Sequence, residues 1–127
     1  MKDQSNVCQT LLSINPAVIY ASILSMTGEE IGSASKPSLG VLIPSNSELK
    51  NHFRAFSSIL TAYRNEKSAL SGAERMFGKF KDLVVTFANF KVIIILDDIK
   101  QQVVALATMK DADSKKITFQ STRIISG

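Results

Sequence analysis

Two stretches in the second half of the chain constrain its fold more than any other feature. KVIIIL at 91–96 is apolar at every position after its lysine, and QVVALAT at 102–108 is nearly so. Both are short and rich in β-branched residues, which reads as strand rather than helix. A strand with apolar side chains on both sides is buried on both faces of its sheet. Two such neighbours, joined by the polar run Asp97 to Gln101, therefore demand a sheet with cover above and below.

The rest of the chain supplies candidate cover. Ser5 or Asn6 can cap a short helix bearing Val7, Leu11, Leu12 and Ile14, and Pro16 ends it because the residue before a proline avoids helical angles. Residues 17–26 and 31–35 read as a β-hairpin turning at Gly28, which tolerates positive φ. The run 36–46 is a loop, with the apolar LGVLI inside it either tucked against the body or adding a short strand. A long helix follows, capped by Asn46 or Ser47 with Glu48 near its positive end, and running to about Leu70 with Gly72 as its stop. Leu49, Phe53, Phe56, Leu60 and Tyr63 recur along one face at spacings of three and four. Ala55, Ile59 and Ala62 form a second strip beside it, while Lys50, Arg54, Ser57, Thr61 and Arg64 face water. The strip reads either as good helix formers or as a surface where a second helix approaches closely. LVVTFA at 83–88 is a further strand, with Asn89-Phe90-Lys91 as a hairpin loop in which Asn takes the left-handed conformation. The tail, 109–127, is open between a helix, a strand and a disordered segment, and its Ile117, Phe119 and Ile125 suit a strand better than a helix.

Composition narrows the function classes. A chain of 127 residues suits one domain, 1–127. The net charge of +4 is scattered, with Lys79/Lys81 and Lys115/Lys116 the densest groups. No basic stripe with interleaved aromatics is present, which argues against nucleic acid. Cys8 is the single cysteine, so no internal disulfide forms, and its apolar helical setting makes it a core residue. The opening residues lack the apolar segment of a signal peptide, and the run 92–96 is too short to span a bilayer. A soluble, cytoplasmic protein without direct membrane insertion is expected.

Catalytic readings find little support. His52 is the only histidine and sits on a polar helix edge; no nucleophile-elbow pattern accompanies it. Asp97, Asp98, Asp111 and Asp113 lack metal-ligand spacing and read as turn acids, as does the Glu29-Glu30 pair. No glycine-rich phosphate loop is present. Arg54, Arg64 and Arg75 are conceivable arginine fingers but read as solubilising charge. The expectation is a non-enzyme with no cofactor and no metal.

Three stretches resemble the Roadblock/dynein-light-chain family of the roadblock/longin, profilin-like group. IYASILSMTGEEIGSAS looks like its first hairpin, with Gly28, Ile31, Ser33 and Ala34 in the characteristic places. FRAFSSILTAYRN looks like its long helix, and LVVTFANFKVIIILDDIKQQVVALAT like its closing meander. The match covers 7–108, leaving 109–127 as an extension. The resemblance implies an α+β fold: a central five-stranded antiparallel sheet, one long helix on one face and shorter helical cover on the other. Many members cover the second face with a final helix, which the tail here does not obviously supply.

The resemblance also implies a dimer, with the third strand pairing across a two-fold axis and the long helices side by side. Residue patterns point the same way. The run 83–88 would be an edge strand with no charge, proline or bulge inside it to guard it. The expected interface is Ala55, Ile59 and Ala62 on the helix with Leu83, Val84, Val85, Thr86 and Phe87 on the strand. Partners implied are a second copy or a paralogous chain, and a Ras-like small GTPase or a motor or adaptor complex that the dimer scaffolds or regulates. Alternative readings are a small-molecule sensor of profilin or PAS type and a longin-like trafficking adaptor.

Overall fold

The computed structural model describes residues 4–36, Asn51, Ala55 and 67–126, with the backbone alone for 67–71. Its elements are α1 (Ser5–Ser13), β1 (Val18–Ser25), β2 (Glu30–Ser35), α2 (Lys67–Phe77), β3 (Asp82–Thr86), β4 (Phe90–Asp97), β5 (Gln102–Met109) and α3 (Ser114–Ser126). The strands form one five-stranded sheet in the order β2-β1-β5-β4-β3, every neighbouring pair antiparallel, with helices on either side.

The two wholly apolar strands lie side by side as β4 and β5, and β1 joins them on the other flank. Their side chains divide between two cores. One holds Ala21, Ile23, Ile93, Ile95, Val104 and Leu106 under Cys8, Leu11 and Leu12 of α1 and Ile117 and Ile125 of α3. The other, on the opposite face, holds Leu24, Val92, Ile94, Val103, Ala105 and Ala107, with Phe80, Leu83 and Val85 packed at its rim. Strict alternation along β4 and β5 follows from the period of two. In β1 the register on β5 slips between Val18 and Tyr20. The extra residue sends both Ile19 and Tyr20 to the second core.

The hairpin forms as expected, with Gly28 at φ 89°. α1 also forms, though Ser5 is already helical: Gln4 is its N-cap and contributes no side-chain bond. What fixes this first turn is close packing on β2. A Cβ added at Gly32 would lie 2.7 Å from the Gln4 carbonyl carbon and 2.8 Å from the Ser5 nitrogen. Lys36 ties the far end of β2 back to the α1–β1 loop, its ammonium donating to the Asn15 and Pro16 carbonyls at 3.2 and 3.0 Å. Burial lowers the pKa of that ammonium.

Five expectations need correction. Gly72 does not stop the helix: α2 runs through it to Phe77, and Gly78, at φ 92°, ends it by donating its N–H to the Glu74 carbonyl at 2.8 Å. The strand at 83–88 is β3, but it ends at Thr86. The β3–β4 turn is Ala88-Asn89, closed by the Phe87 N–H to the Phe90 carbonyl at 2.8 Å, and Phe90 already belongs to β4. Asn89 does not take positive φ; among the described residues Gln101, at 53°, is the one non-glycine that does. The tail is a helix, not a strand. Asp113 caps α3 through a 3.1 Å bond from the Lys116 N–H to its Oδ1, and Ile117, Ser121 and Ile125 form a buried stripe at spacings of four. α3 with α1 supplies the cover that the second face of the sheet requires. The expected long-helix face Leu49, Phe53, Phe56, Leu60 and Tyr63, its caps, and LGVLI lie outside the described residues.

Two glycines should respond oppositely to alanine. Gly32→Ala should cost about 1–3 kcal/mol, since backbone rather than a flexible side chain must give way. Gly72→Ala meets no atom within 4 Å, and should stabilise by roughly 0.5–1 kcal/mol through helix propensity. Urea denaturation of the two variants against the parent checks both signs.

Candidate interface along strand β3

β3 is the last strand of the sheet and bonds to β4 on one side only among the described residues. Which of its backbone groups are used follows from the register. The Leu96 N–H donates to the Lys81 carbonyl at 2.9 Å, and the Phe87 N–H to the Phe90 carbonyl at 2.8 Å. Lys81 and Phe87 are thus bonded positions, and antiparallel pairing alternates between bonded and non-bonded positions. Leu83 and Val85 therefore also turn their amides and carbonyls towards β4. Asp82, Val84 and Thr86 turn theirs outward, along the free edge.

Side chains alternate with the same period. Leu83 and Val85 are half-buried against the second core, while Val84 points to the α3 side and is 37% exposed. Thr86 is exposed, and Phe87, just past the strand, is 47% exposed. The strand part of the expected interface, Leu83 to Phe87, thus lies together on one edge. Of its helix part, Ala55 is helical and exposed; Ile59 and Ala62 lie outside the described residues.

Asp82 is a charge the expectation of an unguarded edge did not include. It occupies the first position of the strand, and no ion pair engages it among the described residues. Beside it, between β3 and α3, runs an open cleft of about 350 Å³ lined by Lys81, Asp82, Val84, Ser114, Lys115, Thr118, Phe119 and Thr122. Reading the tail as a strand hid this cleft, because Lys115, Thr118, Phe119 and Thr122 share a wall only on a helix. The signal for it was Asp113 three residues before Lys116, an N-cap pattern.

The other candidate residues have structural duties. Asp97 accepts from the Lys100 N–H at 3.2 Å and from the Gln102 side chain at 3.1 Å, shaping the β4–β5 turn. Asp98 pairs with Lys79 at 3.1 Å. Asp113 caps α3, and Arg75 is exposed at the end of α2. Among the described residues no group of three or more His, Cys, Asp or Glu comes close enough to hold a metal ion. No helix among them is long and apolar enough to cross a membrane. Cys8 is fully buried in the first core. His52, Arg54 and Arg64 lie outside the described residues.

Glu30 is not the solvated turn acid expected. It is half-buried at the start of β2 and accepts from the Tyr20 hydroxyl and the Ser22 hydroxyl, both at 3.3 Å. Burial, and then the nearby Glu30 carboxylate, push the Tyr20 phenol up to about 12. Both effects disfavour the phenolate, so this cluster is a lock between β1 and β2 rather than a proton-transfer site.

No protein-family model and no curated protein matches the sequence. Solved structures do resemble the fold. A Roadblock/LC7 domain from Streptomyces avermitilis superposes with a TM-score of 0.65 at 13% identity, covering 98% of this chain and 93% of its own. The gliding protein MglB from Thermus thermophilus gives 0.70 at 13% identity, covering 94% and 80%. An MglB structure with a tetrameric arrangement gives 0.63 at 12% identity, covering 94% and 79%. The chain therefore has the α+β roadblock/longin-like fold, and the likeness extends past 7–108 into α3.

The Tyr20 lock has a testable pH signature. Its folded pKa lies above the unfolded value of 10.0, so the stabilisation is complete below pH 10 and is lost as pH rises towards 12. The loss should reach about 3 kcal/mol. Tyr20→Phe should flatten stability over that interval relative to the parent, as read by denaturant midpoints at successive pH values.

Proposed function

We propose that this chain is a non-enzymatic, cytoplasmic scaffold or regulator that works as a dimer, joined through β3 to a second copy or to a paralogous chain. The observation that carries the reading is the outward-facing backbone of Asp82, Val84 and Thr86. Such an edge, with valine at its centre, is a template for another strand. A two-fold axis through Val84 uses all three residues on both chains: Val84 faces Val84 of the partner subunit, and Asp82 faces Thr86 of the partner subunit. That register forms roughly six new backbone hydrogen bonds. It also sets a carboxylate beside a hydroxyl rather than beside another carboxylate, so Asp82 is compatible with pairing. Closed two-fold assemblies are the commonest oligomers.

The partner class rests on likeness. Proteins of the Roadblock family scaffold or regulate Ras-like small GTPases or attach to motor and adaptor complexes, and the resemblance in the hairpin, helix and meander extends that role to this chain. Solved structures that resemble it include a gliding protein and an MglB with a tetrameric arrangement, which accords with work done through association. Asp97, Asp98 and Asp113 are each engaged within the fold, which accords with a non-enzymatic reading. The sensor reading needs a cavity under the long helix, most of which lies outside the described residues; no observation favours it.

Val84→Pro tests the interface selectively. Val84 donates nothing to β4, so proline removes only an outward N–H, as edge strands permit. Sedimentation equilibrium at about 100 µM, far above the dissociation constants typical of stable dimers, should give twice the chain mass for the parent. The variant should give a single mass with an unchanged far-ultraviolet spectrum. Val85→Pro removes an N–H that does serve the ladder and should unfold β3. A Val84→Pro variant that stays dimeric contradicts the proposal.

A further inference from the structure

We propose that the cleft between β3 and α3 binds an acidic segment of a partner protein, seating an apolar side chain between Val84 and Phe119 and carboxylates against Lys81 and Lys115. The cleft is complete within one chain, so the inference goes beyond the dimer reading and does not need it.

Its floor and wall are apolar and open. Phe119 stands on the middle of α3 with 64% of its surface exposed, opposite Val84 on β3. A large exposed aromatic beside a concave surface is the kind of anchor that dominates protein interfaces. The guanidinium of Arg123 lies 5.9 Å from the Phe119 ring centroid, holding a cation over the same wall.

The charge around this floor is one-sided. α3 carries Lys115, Lys116 and Arg123 and no acid, and Lys81, just before β3, is among the residues that line the cleft. Asp82 is the single carboxylate in the lining. Elsewhere in the fold lysines have internal duties. Lys79 pairs with Asp98, Lys91 donates to the Ala112 carbonyl, and Lys100 donates to the Ile125 carbonyl. Among the described residues no carboxylate engages Lys81, Lys115, Lys116 or Arg123. Folding thus brings together basic groups that are far apart in sequence and leaves their charge unspent. Complementary potential selects a negatively charged partner and speeds its encounter.

An acidic nucleic acid is a poorer match, because single strands are held by several stacking aromatics along a basic groove, and here one aromatic shares the cleft with Asp82.

Fluorescence anisotropy with the full chain tests the idea. The probe is a fluorescein-labelled peptide, Asp-Glu-Asp-Leu-Phe-Asp-Glu-Asp, against a control in which Asn and Gln replace the acids. Saturable binding of the acidic probe is expected, weakening at least about tenfold between about 50 and 300 mM salt. Phe119→Ser, at an exposed position, should weaken it about tenfold. The Lys81→Glu, Lys115→Glu pair should abolish it. Sedimentation and thermal melting of the same variants should match the parent. Equal binding of both peptides, or undiminished binding by the variants, overturns the proposal. So does binding confined to phosphatidylserine vesicles or to an oligothymidylate. A Phe119→Ser chain that loses its dimer also overturns it, by showing that a second copy fills the cleft.

Discussion

Everything in this fold follows from having to dry both faces of β4 and β5. Val92, Ile94, Val103, Ala105 and Ala107 point one way, and Ile93, Ile95, Val104 and Leu106 the other. At roughly 25 cal/mol per Å² of apolar surface removed from water, neither set can be left wet. The sheet must therefore be a middle layer. α1 and α3 close one side, and the close approach of α1 at Gly32 shows how tightly that layer is laid down.

The same constraint explains why β3 is the candidate edge for association. The central strands are committed on every side, through backbone ladders and through two cores. β3 is committed on one side only, and its burial alternates rather than staying uniform. Among the described residues, its amides and carbonyls at Asp82, Val84 and Thr86 lie along a free sheet edge beside the apolar surface of Val84. These are the features on which the proposed association rests. Among the described residues, Asp97 shapes a turn, Asp98 pairs with Lys79, Asp113 caps a helix and Glu30 joins two strands.

Much of this was legible from residue patterns. The strand pair 91–96 and 102–108 demanded a two-sided sheet, Gly28 marked the hairpin, and the uncharged run at 83–88 marked the edge. What misled was local composition that tertiary packing overrides. The tail alternates Ile117 and Phe119 among β-branched neighbours, which imitates a strand. Ser121, sitting between Ile117 and Ile125 in the buried stripe, disguised the helical period. Gly72 looked like a helix stop because glycine propensity is poor, whereas Gly78 holds the positive φ that ends the helix. Glu30 looked solvated because Tyr20 and Ser22 reach it only across the paired strands. For the site, the edge could be read from sequence, but the cleft beside it depends on α3 and could not.

The central claim is that β3 completes its hydrogen bonding with a strand of another copy. Amide hydrogen exchange of the parent chain, followed residue by residue at high and at low protein concentration, addresses it most directly. The account predicts that the Val84 amide is protected when the mass is that of two chains and exchanges freely on dilution to one, while the Val85 amide, bonded to β4, stays protected throughout. A two-chain mass with a freely exchanging Val84 amide would contradict it.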